Sequence, residues 1–65
     1  MPKYRYQGPH DPGPQTVEAE NAERDDSDKD LVVFINPTSF NGAAYPQSTA
    51  ALLVRVAGEI EQLEP

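Results

Sequence analysis

His10 and Asp11 stand side by side in "GPHDPGP", the only imidazole of the chain next to a carboxylate. A carboxylate can orient an imidazole for proton transfer. Nucleophilic catalysis also needs an activated serine or cysteine held against that base. The chain has no cysteine, and none of its serines sits in a recognisable nucleophile turn. Two neighbours in a proline- and glycine-rich stretch read instead as a turn, with Asp11 bonding nearby backbone.

The carboxylates invite two further chemistries. "DDSDKD" sets Asp26, Asp28 and Asp30 at alternate positions, like the first half of a calcium loop. That loop needs glycine at its sixth position and a glutamate at its twelfth. Counted from Asp26, those places hold Leu31 and Pro37, so a solvated acidic turn is expected. Glu18 with Glu20, and Glu59 with Glu61, are paired carboxylates of the kind that glycoside hydrolysis uses. They must face each other across a cleft, one with a raised pKa, and a chain of 65 residues has little material for one. Asn36-Pro37-Thr38 has proline where an N-glycosylation acceptor forbids it. No glycine-rich phosphate loop, cofactor motif or metal-ligand set is present. A non-enzymatic role is expected, with no cofactor and no small-molecule substrate.

Composition points the same way. Eleven Asp plus Glu stand against five Lys plus Arg, a net charge of −6. Nucleic-acid binders carry basic patches, and Lys3 and Arg5, alternating with Tyr4 and Tyr6, are too small a one. No segment approaches the apolar length of a membrane-spanning helix, and the first residues lack the apolar core of a secretory signal. The expected place is the cytoplasm of the producing cell, or a particle assembled there.

These residues must be held by few elements. "KYRYQ" alternates, so Tyr4 and Tyr6 share one face of a strand. Residues 8–14 hold three prolines and two glycines; they read as an extended arm. "QTVEAE", residues 15–20, suits a short edge strand, and 21–30 an acidic loop. "LVVFI", Leu31 to Ile35, is an unbroken apolar run, read as a strand covered on both faces. Asn36-Pro37 is expected to end it. Asn41-Gly42 is a turn pair, since both residues tolerate positive φ, with Phe40 and Tyr45 as flanking anchors. From an N-cap at Ser48 or Thr49, good helix formers continue to about Leu63. Leu53, Val56, Ile60 and Leu63 fall at heptad a/d spacing, with Leu52 widening the stripe. The pattern predicts one α+β domain over residues 1–65: two or three β-strands and one C-terminal amphipathic α-helix.

The opening "YRYQGPHD", Tyr4 to Asp11, resembles the first residues of short proteins encoded by tailed bacteriophages of actinobacteria, several of them among the head and head-tail genes. The resemblance covers about eight residues and implies a virion structural or accessory role, with no role for any single residue. Together with the small size and missing staples, it leads to a protein that works by contact with other chains, itself or a larger assembly. Tyr4, Tyr6, Phe40, Leu53, Val56, Ile60 and Leu63 are the interface candidates. The competing expectation is a small acidic inhibitor or adaptor occupying a basic surface of a host protein, through Asp25, Asp26, Asp28, Asp30 and the Glu18–Glu23 group.

Overall fold

The computed structural model describes residues 1–64. Among them it contains six β-strands and no helix. These are β1 (Lys3–Tyr6), β2 (Gln15–Arg24), β3 (Leu31–Phe40), β4 (Ala43–Ala44), β5 (Ala51–Arg55) and β6 (Glu61–Glu64). The expected α+β class with a C-terminal helix is therefore corrected to an all-antiparallel β-sheet. Its order is β4-β3-β2-β1-β6, with β5 lying on the same side of β3 as β4.

The sheet is rolled. Cα extents of 27 × 25 × 21 Å are too even for a flat layer, which would be thin in one direction. Tyr4 and Tyr6 of β1 meet Phe34 of β3, with ring centroids 5.6 and 5.8 Å apart, although β2 lies between those strands. The two ends also approach each other. The Val56 N–H donates to the Asp30 carbonyl, extending β5 along β3, and the next N–H, Ala57, donates to Gln7 beyond β1, both at 2.7 Å. Tyr4, Tyr6, Val17, Ala19, Val32, Phe34 and Val56 fill the interior. Burying valine and phenylalanine side chains stabilises the fold by roughly 1.5–3 kcal/mol each.

A corner in the β2–β3 ribbon makes the roll. Val17 and Ala19 face inward, and so does Ala22, three positions on; β3 makes the same change between Phe34 and Pro37. Strict alternation would send one of each pair outward. The change of face falls at Glu20 and Asn36. Asn36 has φ +49°, a left-handed conformation that asparagine tolerates better than most residues. Its Nδ2 donates to Glu20 Oε2 at 2.8 Å. Farther along, Thr38 is an extra residue on β3 between the pairs Glu18–Ser39 and Ala19–Pro37. Asn36-Pro37 thus bends the strand and does not end it. By the same pairing, "QTVEAE" is no short edge strand: β2 is ten residues long and lies between β1 and β3.

The predicted helix is two strands and a turn. Leu52, Val54 and Val56 alternate inward along β5 and just past it, while Leu53 and Arg55 face out. Gly58 has φ +88°, which an α-helix cannot contain, and β6 then returns to pair with β1. Thr49 caps no helix; its N–H closes a tight turn on the Pro46 carbonyl.

The turns match their sequence chemistry more closely. Asn41 (φ +50°) and Gly42 (φ +86°) make the two-residue link between β3 and β4, with the positive angles that a type I′ hairpin requires. Asn41 also fastens this tip to β2, donating its N–H to the Thr16 carbonyl and accepting the Thr16 N–H on its side chain. Gly8 to Asp11 form a turn closed at 3.2 Å.

Candidate protein-contact surface

Two features that invited chemistry prove to be backbone fasteners. The Gly8 N–H donates to Asp11 Oδ2 at 2.9 Å, so Asp11 is occupied in its own turn while His10 faces solvent. In the acidic segment, Asp25 Oδ1 accepts from the N–H groups of Ser27 and Asp28, and Asp28 Oδ1 from that of Asp30. Asp28 also pairs with Arg55 of β5. That guanidinium, with the Asp30 N–H, holds the Asp28 carboxyl below its ordinary range. β2 runs to Arg24, so the loop proper is residues 25–30. Among the described residues no cluster of three potential metal ligands occurs, and no polar or charged residue is buried.

The seven interface candidates divide into three sets. Tyr4, Tyr6 and Val56 belong to the core. Phe40 and Ile60 are half-buried against it. Leu53 and Leu63 face solvent, 60% and 40% exposed. The tyrosines therefore form the packed centre under Phe34. Burial pushes the Tyr6 hydroxyl pKa up, helped by the negative charge of Asp11 and by the nearby Tyr45.

A coherent surface appears around Leu53 from residues of the "LVVFI" run that were not among the interface candidates. Leu31, Val33 and Ile35, the outward members of "LVVFI", are half-buried. In the β3–β5 register they pair with Arg55, Leu53 and Ala51. Directly opposite residues of an antiparallel pair share a face, so these side chains form one outer patch with Leu53 at its centre. The signal was present in the sequence: a run with no polar member has two apolar faces, and only one is turned to the core.

The patch lies beside an open strand edge. The pairs 52–34 and 54–32 flank it, and the N–H of Asn36 donates to the Ala50 carbonyl. Residues 50, 52, 54 and 56 thus turn their backbone groups to β3. Ala51 and Leu53, in alternation, turn theirs away, and β5 pairs with no other strand among the described residues. At the far end the edge is covered, since the Arg55 carbonyl lies against Gly8. Past the other end of β5 a shallow groove of about 370 Å³ runs between Met1, Pro37, Tyr45 and Pro46. It contains no carboxylate or imidazole side chain.

No family, no curated protein and no solved structure matches the chain.

Proposed function

We propose that this chain is a non-enzymatic structural or accessory protein that acts through protein–protein contacts, in the specific form of a component of a bacteriophage head or virion. One observation carries the contact reading: an apolar outer face centred on Leu53 lies beside a strand edge where, among the described residues, Ala51 and Leu53 have no partner strand. An open, apolar edge is a template for another chain, and monomeric proteins usually blunt it with charge, proline or a covering loop. Among the described residues the other edge strands are β6, which carries Glu61 and Glu64, and β4, only two residues long; β5 carries no acid.

The virion form rests on the resemblance of "YRYQGPHD". In the structure that segment is β1 and its turn, so the shared residues are those that start the roll and pack its centre. A head or tail protein of this size would bind its neighbours by sheet edges and apolar faces, and this chain offers both on one side.

The test is cross-linking in the producing cells followed by purification of any particles. Wild-type chain should be found in the particles and cross-linked to a particle protein, and Leu53→Asp should lose that contact while remaining folded. Recovery of a cytoplasmic host protein instead, by a contact that weakens steeply with salt and ignores Leu53, would replace this reading with the acidic inhibitor or adaptor.

A further inference from the structure

We infer that the β5 edge binds a second copy of this chain, the two β5 strands pairing antiparallel about a two-fold axis at Leu52. The inference rests on the contact reading above and names the partner.

Three observations select a second copy. The first is where the edge is open. Gly8 covers the Arg55 end, which leaves Ala51 and Leu53 as the residues with outward backbone groups. Antiparallel pairing about Leu52 sets Ala51 of each copy opposite the second copy's Leu53, and such a pair exchanges both N–H···O bonds. A two-fold contact must be complementary to itself, and this open stretch satisfies its own donors and acceptors.

The second is size. Leu53 is large and 60% exposed, and the residue it would face is an alanine, itself exposed. The Leu53 side chain fits over the second copy's Ala51 and reaches the second copy's Ile35, which pairs with that alanine in its own sheet. The outer patches of the two copies become one continuous apolar face.

The third is charge. Each copy carries −6, so two copies repel through most approaches. β3, β4 and β5 contain no acidic residue at all, and their only charge is Arg55. The acids lie on β2, β6, the loop 25–30 and the turns around residues 11 and 59. This side is where a copy meets the least repulsion.

The charge argument fixes the sign of the salt response. Added salt screens the residual repulsion between like-charged copies and leaves apolar and backbone contacts in place. Sedimentation equilibrium of the full chain should show a monomer–dimer equilibrium that tightens as salt rises from about 0.05 to about 0.5 M. Leu53→Lys should weaken the dimer at least about tenfold with an unchanged circular dichroism spectrum, and Leu63→Lys, on the β6 edge, should not. Because the chain has no native cysteine, single cysteines report the register. Mixing Ala51→Cys with Leu53→Cys should give a disulfide between unlike copies, since facing Cα atoms lie within bridging distance. A chain that stays monomeric up to about 1 mM at high salt overturns the inference. So does a dimer broken by Leu63→Lys and indifferent to Leu53→Lys, or a cysteine mixture that cross-links no faster than its separate components. If Leu53→Lys fails to fold, the cysteine pair decides alone. A monomer that still needs Leu53 to reach a particle protein would sink the dimer and spare the contact reading; a dimer that reaches no particle protein would spare the dimer and sink the virion form.

Discussion

β3 presents two faces of one apolar run, and they have opposite fates. Val32 and Phe34 are fully enclosed, while Leu31, Val33 and Ile35 are only half-covered. The residue types are nearly the same on both sides. The difference comes from the roll: the bend at Glu20 and Asn36 wraps β1, β2 and β5 around one face and leaves the other convex. A convex face cannot be covered by its own sheet, so its apolar residues are available to another chain. The inner face answers for stability and, on the proposed reading, the outer face for association, so mutations should separate the two.

The largest effect is expected at the centre of the inner face. Phe34 is fully buried and contacts both core tyrosine rings. Phe34→Ala should cost about 3–5 kcal/mol, transfer and cavity combined. Stability in a domain of this size is marginal, so the variant is expected to be largely unfolded at 25 °C by circular dichroism and amide exchange. On the outer face, Val33→Thr should change the stability of the monomer by no more than an ordinary surface substitution does, about 0.5 kcal/mol. Comparable losses from the two substitutions would break the division between the faces.

Gly8 tests the rim where the roll closes. It is buried, and a Cβ there would collide with the Asp11 carboxylate that caps its N–H. Gly8→Ala must displace that carboxylate, and a lost hydrogen bond of this kind costs about 1 kcal/mol. Urea denaturation should show it, and Asp11→Ala should show a loss of similar size without the collision. Little further loss in the double variant would confirm that both act through one turn.

How much of this was legible in the sequence depends on how local each signal is. The alternation of Tyr4 and Tyr6, the start of β3 and the Asn41-Gly42 turn are decided by neighbouring residues, and each was readable. β5 and β6 were not. Leu53, Val56, Ile60 and Leu63 match a helical period, but Leu52, Val54 and Val56 match a period of two equally well, and Val54 and Val56 are β-branched. Pairing with β3 decides between them, and that is a long-range fact. Gly58 was the local clue, since its left-handed conformation ends any helix. The polar end of β2, Asn21 to Arg24, carries no strand signal; it is extended because β3 pairs with it from Ile35 to Val32. For the outer face, Leu53 became an interface candidate through a helix argument that is wrong, and Leu31, Val33 and Ile35 were read only as part of a run with two apolar faces, because such a run does not say which face its own sheet will cover.

Alkaline titration probes the inner face by a different route. The folded chain holds the Tyr6 hydroxyl pKa above the ordinary 10.0, first by burial and then by Asp11 and Tyr45. The unfolded chain gives up that proton from about pH 10, while the fold retains it. The contribution of Tyr6 is therefore complete below pH 10 and falls as pH rises through the folded value. Tyr6→Phe should flatten that part of the stability curve, measured by urea midpoints at successive pH values. An unchanged slope would mean that Tyr6 reaches solvent more freely than its packing implies.

The smallest effect belongs to the border of the outer face. Arg55 of β5 pairs with Leu31 of β3 and is held there by Asp28. The Arg55 hydrogen bond, then the Asp30 N–H, lowers the Asp28 pKa below its ordinary 3.8. The sign is opposite to that of Tyr6. The stabilisation is present above the unfolded pKa and disappears as pH falls through the folded one. Both partners are solvent-exposed, and exposed ion pairs contribute little. Asp28→Asn should therefore leave the melting temperature at pH 7 almost unmoved and slightly reduce the acid-side decline below about pH 4. Its sharper consequence is for the outer patch. With Asp28 neutral, the Arg55 guanidinium is no longer drawn toward the 25–30 loop and is free to swing over Leu31. If the outer face is an association surface, Asp28→Asn should change the dimer constant measurably at a pH where it leaves stability alone. A change in stability without one in association would assign the pair to the fold and remove Arg55 from the surface.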